Sequence, residues 1–115
     1  MKSYTGGQGY VYQYYFVGKR RVPAGPSQAT ATEFIFDVTS DRKTTFSASV
    51  FLPDGVTSAW AASHGRSLTE AEQYGAAKMR LFEAFDQVEN MMASGRQLPI
   101  DAPALDGLLA SLGIE

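Results

Sequence analysis

The 115-residue sequence contains no cysteine, which removes disulfides, thiolate zinc sites, iron–sulfur clusters and cysteine nucleophiles together. It contains one histidine, His64. Metal sites built on paired histidines therefore fail at the first step, and the carboxylates lack the spacing of a calcium loop. No metal and no cofactor is expected. No stretch reaches the roughly eighteen apolar residues of a membrane span. The N-terminal MKSYTGGQGY also lacks an apolar run of signal-peptide length. The expectation is a cytoplasmic protein with no membrane partner.

What is present is ordinary in amount and uneven in placement. With 44% hydrophobic and 19% charged residues, the chain has enough apolar material for one core, so residues 1–115 read as a single domain. The formal net charge of -2 conceals a division at Leu52. Before it, six lysines and arginines stand against three carboxylates; after it, four stand against nine. Such a dipole can orient a partner or a second copy.

Three segments alternate with the period of a strand that buries one face. They place Tyr10, Tyr12, Tyr14 and Phe16; Phe34, Phe36 and Val38; and Phe46, Ala48, Val50 and Leu52 toward a core. The polar TSDRKTT suits a hairpin between the second and third. An antiparallel meander that keeps the large residues on one face pairs Tyr14 with Phe36 and Ala48, and Phe16 with Phe34 and Val50. Residues 1–9 read as a flexible N-terminus and residues 18–32 as a long loop.

The remainder reads as helical. Asp54 is the expected N-cap and Gly65 the stop of a short helix. Overlapping capping boxes, Ser67 with Glu70 and Thr69 with Glu72, open a long helix expected to run to about Ala93 before Gly95. Residues 100–115 predict a C-terminal amphipathic helix carrying Leu105, Leu108, Leu109 and Leu112, capped by Asp101. The fold class is α+β: a three-stranded antiparallel meander packed by one long helix, with a short helix before it and the amphipathic helix after it.

Three functional readings compete. The leading one is a small non-enzymatic protein-interaction or regulatory domain. Its apolar exceptions on the open sheet face, Tyr15, Val17, Ile35 and Phe51, and its leucine helix, Leu105, Leu108, Leu109 and Leu112, are the candidate interface, with a homodimer among its expected forms and, as the equal alternative, the leucine helix folding back over that face within the same chain. The alternative is a nucleic-acid-binding module using Lys19, Arg20, Arg21, Arg42 and Lys43. That reading suffers because the two cationic clusters fall at opposite ends of the sheet and most aromatics belong to its covered face. The third is a small-molecule or enzymatic role near His64 and the long loop. His64 lies where the short helix should end, with Ser63 and Ser67 nearby, but no nucleophile elbow surrounds it, so no catalytic residue is assigned. GGQG at residues 6 to 9 precedes a strand and lacks the lysine of a phosphate loop.

Overall fold

The computed structural model describes residues 1–24 and 29–114. In chain order the elements are β1 (Lys2–Thr5), β2 (Val11–Pro23), β3 (Thr30–Thr39), β4 (Phe46–Pro53), α1 (Asp54–His64), α2 (Glu70–Gln87), α3 (Met91–Ser94), β5 (Gln97–Pro99) and α4 (Ala102–Ser111). The strands form one sheet in the order β1-β2-β3-β4-β5. Neighbours are antiparallel except β4 and β5, which are parallel. The α+β class holds, and the expected three-stranded meander is the middle of a five-stranded mixed sheet.

Both added strands have local causes. The N-terminus over 1–9 is a hairpin arm: Tyr4 stacks on Phe82 of α2 at 4.3 Å between ring centroids, and its hydroxyl donates to Asp86. The turn closes through the Gly6 amide donating to the Tyr10 carbonyl at 2.9 Å. Only glycine fits at position 6, because a Cβ there would lie 2.5 Å from the Phe85 carbonyl oxygen. β5 follows a helix that stops early. α2 ends at Gln87, not near Ala93, and Asn90 caps the separate α3 by accepting from the Ala93 amide. Met91 is buried there and Met92 is exposed. The chain then turns through Arg96, whose carbonyl accepts from Ser49, and lays β5 along β4.

The loop over 18–32 is largely strand. A bulge at Val17 separates the pair Phe16–Phe36 from the pair Gly18–Ile35, after which β2 stays in register with β3 as far as Pro23–Thr30. Residues 25–28 lie outside the described residues. The bulge resets the alternation, so Lys19 and Arg21 share the face of Phe16 while Arg20 falls on the other. Register between β3 and β4 is as expected, with Phe36 opposite Ala48 and Phe34 opposite Val50. Between β2 and β3 it differs by two residues: Tyr14 faces Val38 and Phe16 faces Phe36. Parity admits either solution, and β1 together with the bulge selects this one. Tyr10 accordingly falls beyond the strand and is exposed, while Tyr12 and Tyr14 are buried.

The core lies on one side of the sheet, where Phe34, Phe36, Val38, Val50 and Leu52 meet Trp60 of α1, Leu81 and Phe85 of α2, and the leucines of α4. α1 begins at Asp54 without a side-chain cap and ends at Gly65 in the left-handed conformation. α4 is capped by Asp101 and buries Leu105, Leu108 and Leu109 against α1 and α2. Leu112 remains 41% exposed. The leucine helix thus docks within its own chain, on the helical side.

The Thr69–Glu72 capping box is fully formed, and Arg66 adds two contacts to the Glu72 carboxylate at 2.8 and 2.9 Å. Arg66 first, then the Thr69 amide, holds the Glu72 pKa down at about 2, against a usual 4.5. A depressed carboxylate stabilises the fold above its unfolded pKa, and that contribution is lost as pH falls through the folded one. Urea unfolding from pH 6 to pH 2 should therefore show a loss between about 4.5 and 2 that is smaller in Glu72→Ala. An identical pH profile in the variant would remove Glu72 from the account.

Candidate interaction site

The helices bury their apolar residues on one face of the sheet, and none of the apolar side chains Tyr15, Val17, Ile35 and Phe51 on the opposite face enters the core cluster. On that open face the cross-strand rows read Arg20, Glu33, Phe51 and Pro99; then Gly18, Ile35, Ser49 and Gln97; then Tyr15, Asp37 and Ser47; then Ser3, Gln13 and Thr39. Tyr15, Val17, Ile35 and Phe51 form a diagonal apolar band across β2, β3 and β4. Tyr15 is 57% and Val17 52% exposed, while Ile35 and Phe51 are half-buried. The structure thus brings the four sheet residues together. It separates them from Leu105, Leu108 and Leu109, which lie beneath the other face.

Beside the band sits an ionised cluster. Glu33, only 6% exposed, accepts from Ser49 Oγ at 2.6 Å and from Arg20 Nε at 2.7 Å. The Ser49 hydroxyl first, then Arg20, keeps the Glu33 carboxyl below the usual carboxylate range against the opposing effect of burial. Three strands are tied by one side chain, because β2 donates through Arg20 and β4 through Ser49. Next to it Ser47, Ser49 and Phe51 form the floor of a groove of about 530 Å³ whose wall is α3 with Arg96 and Gln97. Arg96 Nε donates to the Ser47 carbonyl at 3.1 Å, which occupies that stretch of the β4 edge.

The basic residues do not form a track. Lys19 lies 3.5 Å from Glu70, Arg20 binds Glu33, and Arg21 binds Asp54 together with Thr30 and Thr32. Arg21 therefore ties β2 to the start of α1, and Asp54, expected as a helix cap, is its counter-ion. Arg42 and Lys43 occupy the β3–β4 hairpin, where Asp41 accepts from the Lys43 and Thr44 amides at 2.8 Å each. A duplex needs cations along a continuous line, and here the cluster on β2 is matched by three carboxylates.

His64 stacks on Trp60 at 4.1 Å between ring centroids, and its Nδ1 lies 2.9 Å from the Trp60 carbonyl. The same carbonyl accepts from the Ser63 hydroxyl at 3.1 Å. Arg66 lies 5.0 Å from the Trp60 ring centroid. These contacts close the end of α1, and the Ser63 hydroxyl 3.0 Å away shares them. Among the described residues no cluster of histidines and carboxylates has the arrangement to hold a metal ion, and no helix is long and apolar enough to cross a membrane.

Sequence reasoning missed Glu33 and Ser49 as a bonded pair and Arg96 as a groove wall. The signal for the first was available: once Val17 is counted as a bulge, Arg20, Glu33 and the open-face serines of β4 fall in adjoining rows. Arg96 had no comparable signal, because the helical period ran past the break at Gln87. In comparison with known proteins, the chain matches no family model, no curated protein and no solved structure.

Proposed function

We propose that this chain is a non-enzymatic interaction domain that pairs with a second copy of itself through the open sheet face. The observation that carries the reading is the diagonal band of Tyr15, Val17, Ile35 and Phe51, none of which enters the core beneath the helices and of which Tyr15 and Val17 are more than half exposed. Apolar sheet faces are buried by packing on another layer. The flank of the band favours a like partner, because Arg20 is already neutralised by Glu33 and brings no net charge against its own copy. A standard interface takes about 800 Å² from each partner, roughly an eighth of the chain's 6531 Å² surface.

Sedimentation velocity across a concentration series tests this. The wild-type chain should move from monomer to dimer as concentration rises. Tyr15→Lys combined with Val17→Lys should weaken association about 100-fold while leaving the unfolding midpoint nearly unchanged, since both side chains already face solvent in the single chain. A wild-type chain that stays monomeric at the highest attainable concentration, or a double variant that associates as well as wild type, would remove the reading.

A further inference from the structure

β2 is thirteen residues long and β1 covers only its Val11–Tyr14 portion. Which backbone groups of the uncovered part point outward follows from two hydrogen bonds. The Tyr10 carbonyl accepts from Gly6, so Tyr10 and, by alternation, Tyr12, Tyr14 and Phe16 turn toward the β1 side. The Ala24 amide donates to Ala29 on the β3 side, so Pro23, Arg21 and Lys19 turn outward. The bulge at Val17 supplies the change of parity that reconciles the two. Beyond β1, the amides and carbonyls of Phe16, Lys19 and Arg21 therefore face outward, and among the described residues no strand lies beside them. Pro23, which has no amide to offer, falls where an edge strand tolerates it.

The opposite edge of the sheet is closed. β5 has three residues, Pro99 lacks an amide, and the Pro99 carbonyl accepts from Arg80 Nε at 3.0 Å. Along the β2 edge, by contrast, two hollows follow one another. The first, about 310 Å³, is lined mainly by aromatic rings, Tyr14, Tyr15, Phe16 and Tyr74, together with Met1 and Lys2; the second, about 320 Å³, is lined by Lys19, Arg20, Arg21, Thr32, Glu70 and Gln73. Phe16 and Lys19 face consecutive core-face residues of β3, Phe36 and Phe34. The hollows therefore stand about 7 Å apart, the spacing of side chains i and i+2 on a strand.

We infer that this edge takes up an extended peptide segment of a partner protein as an added strand, with an aromatic side chain against Phe16 and Tyr74 and a carboxylate two residues away at Lys19. Main-chain bonds to Phe16, Lys19 and Arg21 supply the affinity, and the two hollows supply the selection. Lys19 is available for the carboxylate: its pair with Glu70 spans 3.5 Å, and the Glu70 side chain is 88% exposed. A second copy is the wrong occupant, because β2, the strand it would lay along this edge, carries no carboxylate to place at Lys19. Tyr15 lines both the first hollow and the open-face band, whereas Lys19 and Arg21 belong to the edge alone and Ile35 and Phe51 to the face alone, so the two tests are read at different residues.

The probes are capped peptides Thr-Thr-Phe-Thr-Xaa-Thr-Thr with Glu, Gln or Lys at Xaa, titrated into the full chain and followed by amide NMR and hydrogen exchange. The Glu peptide should shift the Phe16, Lys19 and Arg21 amides saturably. At ten times its Kd it should slow exchange at Lys19 and Arg21 about tenfold. It should bind about fivefold tighter than the Lys peptide, and this preference should vanish in Lys19→Gln. Methylating the peptide backbone nitrogens should abolish binding. The inference is overturned by Lys19 and Arg21 amides already protected in the free monomer, by equal affinity for the Glu and Lys peptides, or by no saturable shift with any of them. Protection that grows with protein concentration alone would show a second copy on the edge and would overturn it equally.

Discussion

Replacing Phe85 with alanine is expected to lower the stability of the domain by about 3 to 5 kcal/mol, the largest effect of any single substitution considered for this chain. Phe85 is fully buried, stacks on Tyr12 at 4.2 Å between nearly parallel rings, and lies within 6.3 Å of Tyr4 and Tyr14. Three side chains from β1 and β2 thus lean on one ring, and its backbone carbonyl presses on Gly6. The cavity cannot close by local collapse, because the surrounding aromatics are held by the strands. Since a domain of this size is stable by about 5 to 15 kcal/mol, the variant should lose a large fraction of its stability. Urea denaturation followed by tyrosine fluorescence measures the change. A loss below about 1 kcal/mol would mean that the β1–β2 hairpin does not rest on α2 as described.

Leu109→Ala should cost about 2 to 5 kcal/mol and leave the mass of the protein in solution unchanged. Leu109 is 1% exposed, and α4 packs on α1 and α2 of the same chain. The paired readout separates the two roles open to a leucine helix. One that folds its own domain moves the denaturation midpoint and not the association constant; one that joins copies does the reverse. Denaturation and sedimentation on the same variant decide it, and a variant altered only in its association would contradict the packing of α4.

The fold was legible where periodicity is long and local. The alternation of β3 and β4 carried their register, and the Thr69–Glu72 box and Asp101 marked two helix starts correctly. What was not legible depended on single residues whose meaning is tertiary. Val17 is one valine among apolar neighbours, yet its bulge turns Lys19 and Arg21 to the helical face, and β2 runs on past it to Pro23. Met92 continues the helical stripe of Phe85 and Val88 by spacing alone, and the break at Gln87 followed by the Asn90 cap overrides it. β1 and β5 are too short to show a period, and each exists because a longer strand offers it an edge. For the site, Tyr15, Val17, Ile35 and Phe51 were legible as one face because the period of two survives the register difference. The Glu33–Ser49–Arg20 cluster was not, because it needs the bulge to bring Arg20 onto that face.

The central claim is that the open sheet face packs on its own copy. The most direct measurement is isotope-filtered NMR on a sample mixed from labelled and unlabelled chains at a concentration where sedimentation shows dimer. The account predicts intermolecular contacts from the Tyr15 ring to Val17, Ile35 or Phe51 of the other copy, and none to Leu105, Leu108 or Leu109. Intermolecular contacts confined to the α4 leucines or to the β2 edge, with Tyr15 and Phe51 touching only solvent and their own chain, would contradict it.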